Sequence, residues 1–131
     1  MRLALAQINS VVGDLDGNRA RVLARLEEAR EANADLVLFP ELVVTGYPPE
    51  DLLLRPGFVR AARRTVEAIA KATHGITALV GAPHLDTDLY NACHILAHGE
   101  VRGVYRKRYL PNYGVFDEDR YFASGRDLFL L

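Results

Sequence analysis

Apolar and polar residues follow two rhythms along this chain. Nearly continuous apolar runs at residues 3–8, 35–39 and 76–80 have the length and composition of buried strands. Between them the apolar positions recur at helical spacing. Val22, Leu23, Leu26 and Ala29 do so within a stretch from about residue 18 to 32, where Asn18 can act as the N-cap. Val59, Ala62, Val66 and Ile69 do so within residues 56–73, opened by Pro56 and closed by His74-Gly75. Gly13, Asp14, Asp16 and Gly17 mark a loop before the first helix, and Pro40 ends the second strand. Residues 41–49 carry Gly46, Pro48 and Pro49 and read as a loop of fixed geometry, followed by one helical turn at 50–54. Gly81-Ala82-Pro83 reads as the end of the third strand. Residues 89–97 and 101–105 flank His98-Gly99-Glu100 as a hairpin. Residues 107–126 are polar and aromatic with little periodicity, and another apolar run starts at 129. The order β-α-β-α-β followed by a hairpin predicts an α/β layered fold with a mixed sheet.

Composition narrows the function classes. Half of the 131 residues are apolar, which suits one ordinary domain or a piece of one, and no linker marks a second. A net charge of −1 without a long Lys/Arg run argues against a nucleic-acid partner. A single cysteine excludes an internal disulfide and a Cys-rich zinc site, and fits a cytoplasmic location. The opening MRLALAQI is too short for a secretory apolar region, and no stretch has the length of a membrane-spanning helix, so no membrane partner is expected.

Few residues offer chemistry. Glu41 follows a strand that reads as fully buried, at the carboxyl end where α/β sheets gather ligands. Walled by apolar side chains it would be a general base; otherwise it is a solvated loop carboxylate. Lys107 lies within Arg106-Lys107-Arg108. This is either a solvated charge cluster or, since strand alternation sends Lys107 away from both arginines, a single inward ammonium suited to stabilising an oxyanion. Tyr113, Phe116 and Glu118 stand in an aromatic loop that either lines a site or packs on the sheet, and Glu118 could orient the lysine. Cys93 and His94, adjacent on a strand, point to opposite faces and form no dyad, so Cys93 reads as buried and inert. His74 and His84 fall in turns, and no carboxylate stands at ligand spacing, so no metal site is expected.

Taken together, Leu3-Ala-Leu-Ala-Gln-Ile8, Asp35-Leu-Val-Leu-Phe-Pro-Glu-Leu-Val-Val-Thr-Gly-Tyr47 and Tyr105-Arg-Lys-Arg-Tyr-Leu-Pro111 resemble the first strand and the first two catalytic motifs of the nitrilase, or carbon–nitrogen hydrolase, superfamily. Gly46-Tyr-Pro-Pro-Glu-Asp-Leu-Leu53, Leu110-Pro-Asn-Tyr-Gly-Val-Phe-Asp-Glu118 and Arg120-Tyr-Phe122 are similar to the glutaminase domain of glutamine-dependent NAD synthetases. The resemblance implies a four-layer α-β-β-α sandwich and a Glu–Lys–Cys triad. It implies Glu41 as general base, Lys107 as oxyanion stabiliser and proton donor, Tyr113 as a glutamine-binding residue, and Glu118 as an acidic residue beside the triad. The implied reaction is hydrolysis of the glutamine amide through a thioester, with the ammonia passed to a downstream synthetase domain that uses ATP and Mg2+ to amidate deamido-NAD.

One departure matters. The family nucleophile lies beyond the second motif, whereas Cys93 precedes Lys107. Residues 1–131 are therefore expected to be the N-terminal portion of the glutaminase domain, without the nucleophile or the synthetase domain, inactive alone, and part of a homo-oligomer when full length. A stand-alone amidase of the same superfamily and a non-catalytic remnant acting as a binding module are the alternatives.

Overall fold

The computed structural model describes residues 1–128, and the apolar run expected at 129–131 lies outside them. Five strands, β1 (Leu3–Leu5), β2 (Leu36–Leu38), β3 (Thr77–Leu85), β4 (Leu89–Ala97) and β5 (Glu100–Arg106), form one sheet in that spatial order. β1, β2 and β3 run parallel, and β3, β4 and β5 antiparallel, which is the mixed α/β sheet that the chain order predicts. Helices α1 (Leu15–Glu31) and α2 (Pro56–Ala70) supply the parallel crossovers, and short 3-10 turns stand at Glu50–Leu54 and Glu118–Arg120.

Both helices pack on one face of the sheet. Val22, Leu26 and Ala29 from α1 and Ala62, Val66 and Ile69 from α2 meet Val37, Ala78, Val80, Ala82 and Leu96 in one buried cluster. Strand alternation accounts for this: every second residue of β2 and β3 points at the helices. The residues between them face the other way, and there Leu3 and Leu5 are exposed. The first two strands are thus shorter than 3–8 and 35–39; on the helix face β2 buries Val37, while β1 contributes a partly buried Ala4.

Three other expectations are corrected. The N-cap of α1 is Asp14, which accepts from the Gly17 amide at 2.9 Å, while Asn18 lies inside the helix with its side chain bound elsewhere. β3 does not stop at Gly81-Ala82-Pro83 but runs through to Leu85, with Pro83 opposite Asn91. The glycine there serves a close chain crossing rather than a turn. His84 therefore belongs to a strand, not a turn. The hairpin is as expected: His98 and Gly99 both adopt positive φ, the geometry of a two-residue loop between twisted strands.

Two histidines meet between α2 and the sheet. His94 is 5% exposed, packs edge-on against His84 at 5.5 Å, and leaves Nδ1 without a hydrogen-bond partner among the described residues. Burial foremost, then the neighbouring His84, push its pKa down to about 4, against a hydrogen bond to the Val80 backbone. The unfolded chain protonates this imidazole near pH 6.5. The native state therefore keeps its full advantage above that pH and loses it as the pH falls towards 4. The loss is expected to amount to about 3 kcal/mol. Urea midpoints measured at pH 7 and pH 4.5 should fall steeply for the wild type and less steeply for His94→Leu. Equal slopes would remove His94 as the cause.

Candidate active site

Glu41 stands just past Pro40, at the carboxyl end of β2. The four residues after it, Leu42, Val43, Val44 and Thr45, are fully buried although they form a loop. Their backbone polar groups therefore need partners. The Val44 amide donates to the Gly81 carbonyl at 3.2 Å, and the Gly13 amide donates to the Thr45 carbonyl at 2.9 Å. Asn18 Nδ2 donates to the Val44 carbonyl at 3.1 Å and to the Val11 carbonyl at 2.8 Å. A Cβ on Gly81 would lie 2.4 Å from the Leu42 nitrogen and 2.6 Å from the Pro40 oxygen. The loop thus crosses β3 at the one place where no side chain stands, and Glu41 is delivered from a packed platform.

Lys107 follows β5 and keeps its register for one more residue, its amide donating to the Asn91 carbonyl at 2.7 Å. Arg106 turns to Asp86 and lies over the Tyr90 ring at 4.6 Å. Alternation sends Lys107 the other way, onto the face away from the helices. Glu118 arrives from the loop that folds back over the start of β4, anchored where the Ala123 amide meets the Leu89 carbonyl at 2.8 Å. Phe122 packs there with Leu42 and Leu53 in a second small apolar cluster.

These segments meet in one hydrogen-bonded cluster. Lys107 Nζ donates to Glu41 Oε1 at 2.7 Å and to Glu118 Oε1 at 3.1 Å. Tyr47 donates its hydroxyl to Glu118 Oε1 at 3.0 Å. Asn91 Nδ2 donates to Glu41 Oε1 at 2.5 Å and reaches Glu118 Oε2 at 3.4 Å. Glu118 is 5% exposed, whereas the Glu41 side chain is 46% exposed. The hydrogen-bonding company of Glu41 is thus an ammonium and an amide.

Burial alone would lower the Lys107 pKa, but its hydrogen bonds to Glu41 and Glu118 and their charges outweigh that and raise it. The lysine is a fixed ammonium at neutral pH. Tyr47 is held protonated, first by burial and then by donating to Glu118. The cluster thus sets two carboxylates against one cation. It presents a positive charge beside a carboxylate whose Oε2 accepts no hydrogen bond within the cluster. Such a pair can take a proton and stabilise a negative oxygen nearby.

The structure brings together three of the four candidate residues, Glu41, Lys107 and Glu118. Tyr113 stands apart from them, 72% exposed and edge-on to Phe116 at 5.6 Å. Asn91 and Tyr47 belong to the cluster and were not singled out from the sequence. The available signals were slight: Asn91 shares a strand face with Cys93, and Tyr47 falls in the Gly-Tyr-Pro-Pro stretch. Cys93 and His94 point to opposite faces as expected, but Cys93 is only partly buried. It lines a cavity of about 300 Å³ together with Glu41, Lys107, Asn91, Gly81 and Tyr105. Burial nevertheless raises its thiol pKa, which disfavours the thiolate. Among the described residues, no group of three or more His, Cys, Asp or Glu could hold a metal ion. No helix among them is long and apolar enough to cross a membrane.

Residues 2–130 match the family described as carbon-nitrogen hydrolase. The glutamine-dependent NAD(+) synthetase of Xylella fastidiosa is 52% identical over 124 residues, covering 93% of this chain and 23% of that protein. The structure of glutamine-dependent NAD+ synthetase from Acinetobacter baumannii superposes with a TM-score of 0.90 at 38% identity, covering 95% of this chain and 24% of that one. An amidase from Nesterenkonia sp. superposes at 0.82 with 29% identity, covering 97% of this chain and 49% of that one. The chain spans about a quarter of the length of the synthetases that it matches.

Proposed function

The chain belongs to the carbon-nitrogen hydrolase family, and we propose that residues 1–131 form the N-terminal portion of a glutaminase domain that releases ammonia from glutamine for NAD synthesis. The observation that carries this reading is the Lys107 ammonium held at 2.7 Å from Glu41 and 3.1 Å from Glu118. The similarity to glutamine-dependent NAD synthetases from several bacteria supports the choice of substrate.

The chemistry follows from the geometry once a thiol and an amide are brought to it. Glu41 takes the thiol proton, and the sulfur attacks the side-chain amide carbon of glutamine. Negative charge collects on the former carbonyl oxygen, beside the Lys107 ammonium. The C–N bond breaks as the nitrogen takes a proton from Lys107, which recovers one from protonated Glu41; ammonia leaves, a thioester remains and Glu41 is again a carboxylate. Water, deprotonated by Glu41, cleaves the thioester to glutamate and restores the thiol. Cys93, partly buried and with its thiol pKa raised, is a poor source of that sulfur. The nucleophile is assigned to chain outside residues 1–131, as is the domain that uses ATP and Mg2+ to amidate deamido-NAD. Tyr113 is assigned to contact glutamine, which suits an exposed aromatic side chain at the loop tip.

The protein that carries this chain should transfer nitrogen from amide-15N glutamine into NAD when given ATP and deamido-NAD. Ammonia released without any dependence on ATP or deamido-NAD would instead favour a stand-alone amidase, the reading supported by the likeness to the Nesterenkonia enzyme. No release of ammonia from glutamine would overturn both.

A further inference from the structure

We infer that Asn91 is a positioning residue that selects which oxygen of Glu41 receives the proton. This inference rests on the amide-hydrolysing reading of the cluster.

Asn91 is 3% exposed, near the start of β4 on its site face. Its backbone carbonyl accepts from the Lys107 amide at 2.7 Å, so the residue is tied to the lysine by the main chain as well. Its side-chain amide nitrogen reaches both carboxylates, Glu41 Oε1 at 2.5 Å and Glu118 Oε2 at 3.4 Å. A carboxamide has two N–H donors on one nitrogen, so it can serve both acceptors at once. The lysine alone could not impose this order. An ammonium on a flexible stem forms a rotating point contact and follows whichever carboxylate moves.

The result is unequal use of the four carboxylate oxygens. Glu118 Oε1 accepts from Lys107 and Tyr47, and its Oε2 faces Asn91. That carboxylate is satisfied at both ends and buried. Glu41 Oε1 accepts from both Lys107 and Asn91, while Oε2 appears in no hydrogen bond among the described residues. Two donors on one oxygen stabilise charge there and pin the carboxylate plane. The other oxygen is left outward on a side chain that is 46% exposed. The oxygen without donors is the one that can accept a proton without first breaking a bond. Without Asn91, Glu41 keeps one donor and can turn either oxygen towards Lys107, so the base loses its fixed direction.

The test uses the full-length protein that carries this chain, with glutamine-dependent ammonia release as the readout and ammonia-supported product formation as the internal control. Asn91→Ala is expected to lower kcat by about 30-fold, with KM changed by less than about threefold, as misplacement of a reacting group predicts. Asn91→Asp keeps the shape but places a third carboxylate against the other two, and should be slower still. Asn91→Ser retains one short donor and should recover part of the loss relative to Ala. Thermal unfolding of each variant identifies any that fail to fold, and the Ser variant, the smallest polar change, then decides the question. Unchanged kcat in a folded variant, no recovery in the Ser variant relative to Ala, or an equal loss in the ammonia-supported control would overturn the role of Asn91. A wild-type protein that releases no ammonia from glutamine would overturn the underlying reading, and this inference with it.

Discussion

Lys107→Met is expected to reduce glutamine-supported activity by about a thousand-fold while leaving ammonia-supported activity intact. In the proposed mechanism the substitution removes the positive charge that stabilises the oxygen made negative during amide cleavage. It also strips the buried Glu118 of its cation, leaving Tyr47 and Asn91 as its side-chain donors among the described residues. Removing one partner of a buried ion pair typically costs about 3–5 kcal/mol, and the low end is appropriate because Lys107 keeps some contact with solvent. Urea unfolding should therefore show a loss of about 3 kcal/mol at neutral pH. Lys107→Arg separates the two roles. The guanidinium can still pair with the carboxylates and recover most of the stability, but its planar fork cannot place a single N–H where the ammonium stands. Activity that survives Lys107→Met would remove the lysine from the reaction.

Gly81→Val should be nearly as damaging without touching any charged group. Its first side-chain carbon would lie 2.4 Å from the Leu42 nitrogen and 2.6 Å from the Pro40 oxygen. Both neighbours are backbone atoms, so no side chain can swing aside. The loop after β2 must lift, and Glu41 moves with it. Overpacking costs about 1–3 kcal/mol where neighbours can adjust, and the rigid contacts here put the expected loss at about 3 kcal/mol or more. Glutamine hydrolysis should fall further than stability alone explains, because a displacement of about 1 Å at a reacting group can cost about a hundred-fold. Circular dichroism with a urea titration and an activity assay on the surviving folded fraction would check both parts. A Val variant with wild-type stability would mean that the loop does not press on β3.

Much of this was legible in the residue pattern. The apolar spacing of Val59, Ala62, Val66 and Ile69 identified the buried face of α2, and all four are buried. The alternation around Arg106 and Lys107 correctly sent the two cations to opposite sides. Glu41 and Lys107 stand out as candidates because short motifs surround them, and the fold brings them into contact. The features that escaped are those defined by a distant partner. Asn18 has the chemistry of a helix cap, and only the fold shows that it instead holds the loop after β2. Gly81 and Pro83 carry the local signature of a strand end, and only the crossing loop explains why the glycine sits inside a strand. Asn91 looks like any polar residue on a sheet face until Glu41 and Glu118 arrive from 50 residues before it and 27 after it.

The buried loop after Glu41 also has a consequence for motion. Segments without regular structure usually exchange their amide hydrogens within seconds, because small fluctuations admit water. The amides of Val44 and Thr45 are bonded inside the protein, to carbonyls of Gly81 and Leu42, and neither residue has any exposed surface. Deuterium should enter there only when the loop detaches from α1 and β3 together, at a free energy close to that of global opening. The Glu41 carboxylate is then attached to one of the slowest-exchanging parts of the chain, and its freedom is confined to its own side-chain torsions.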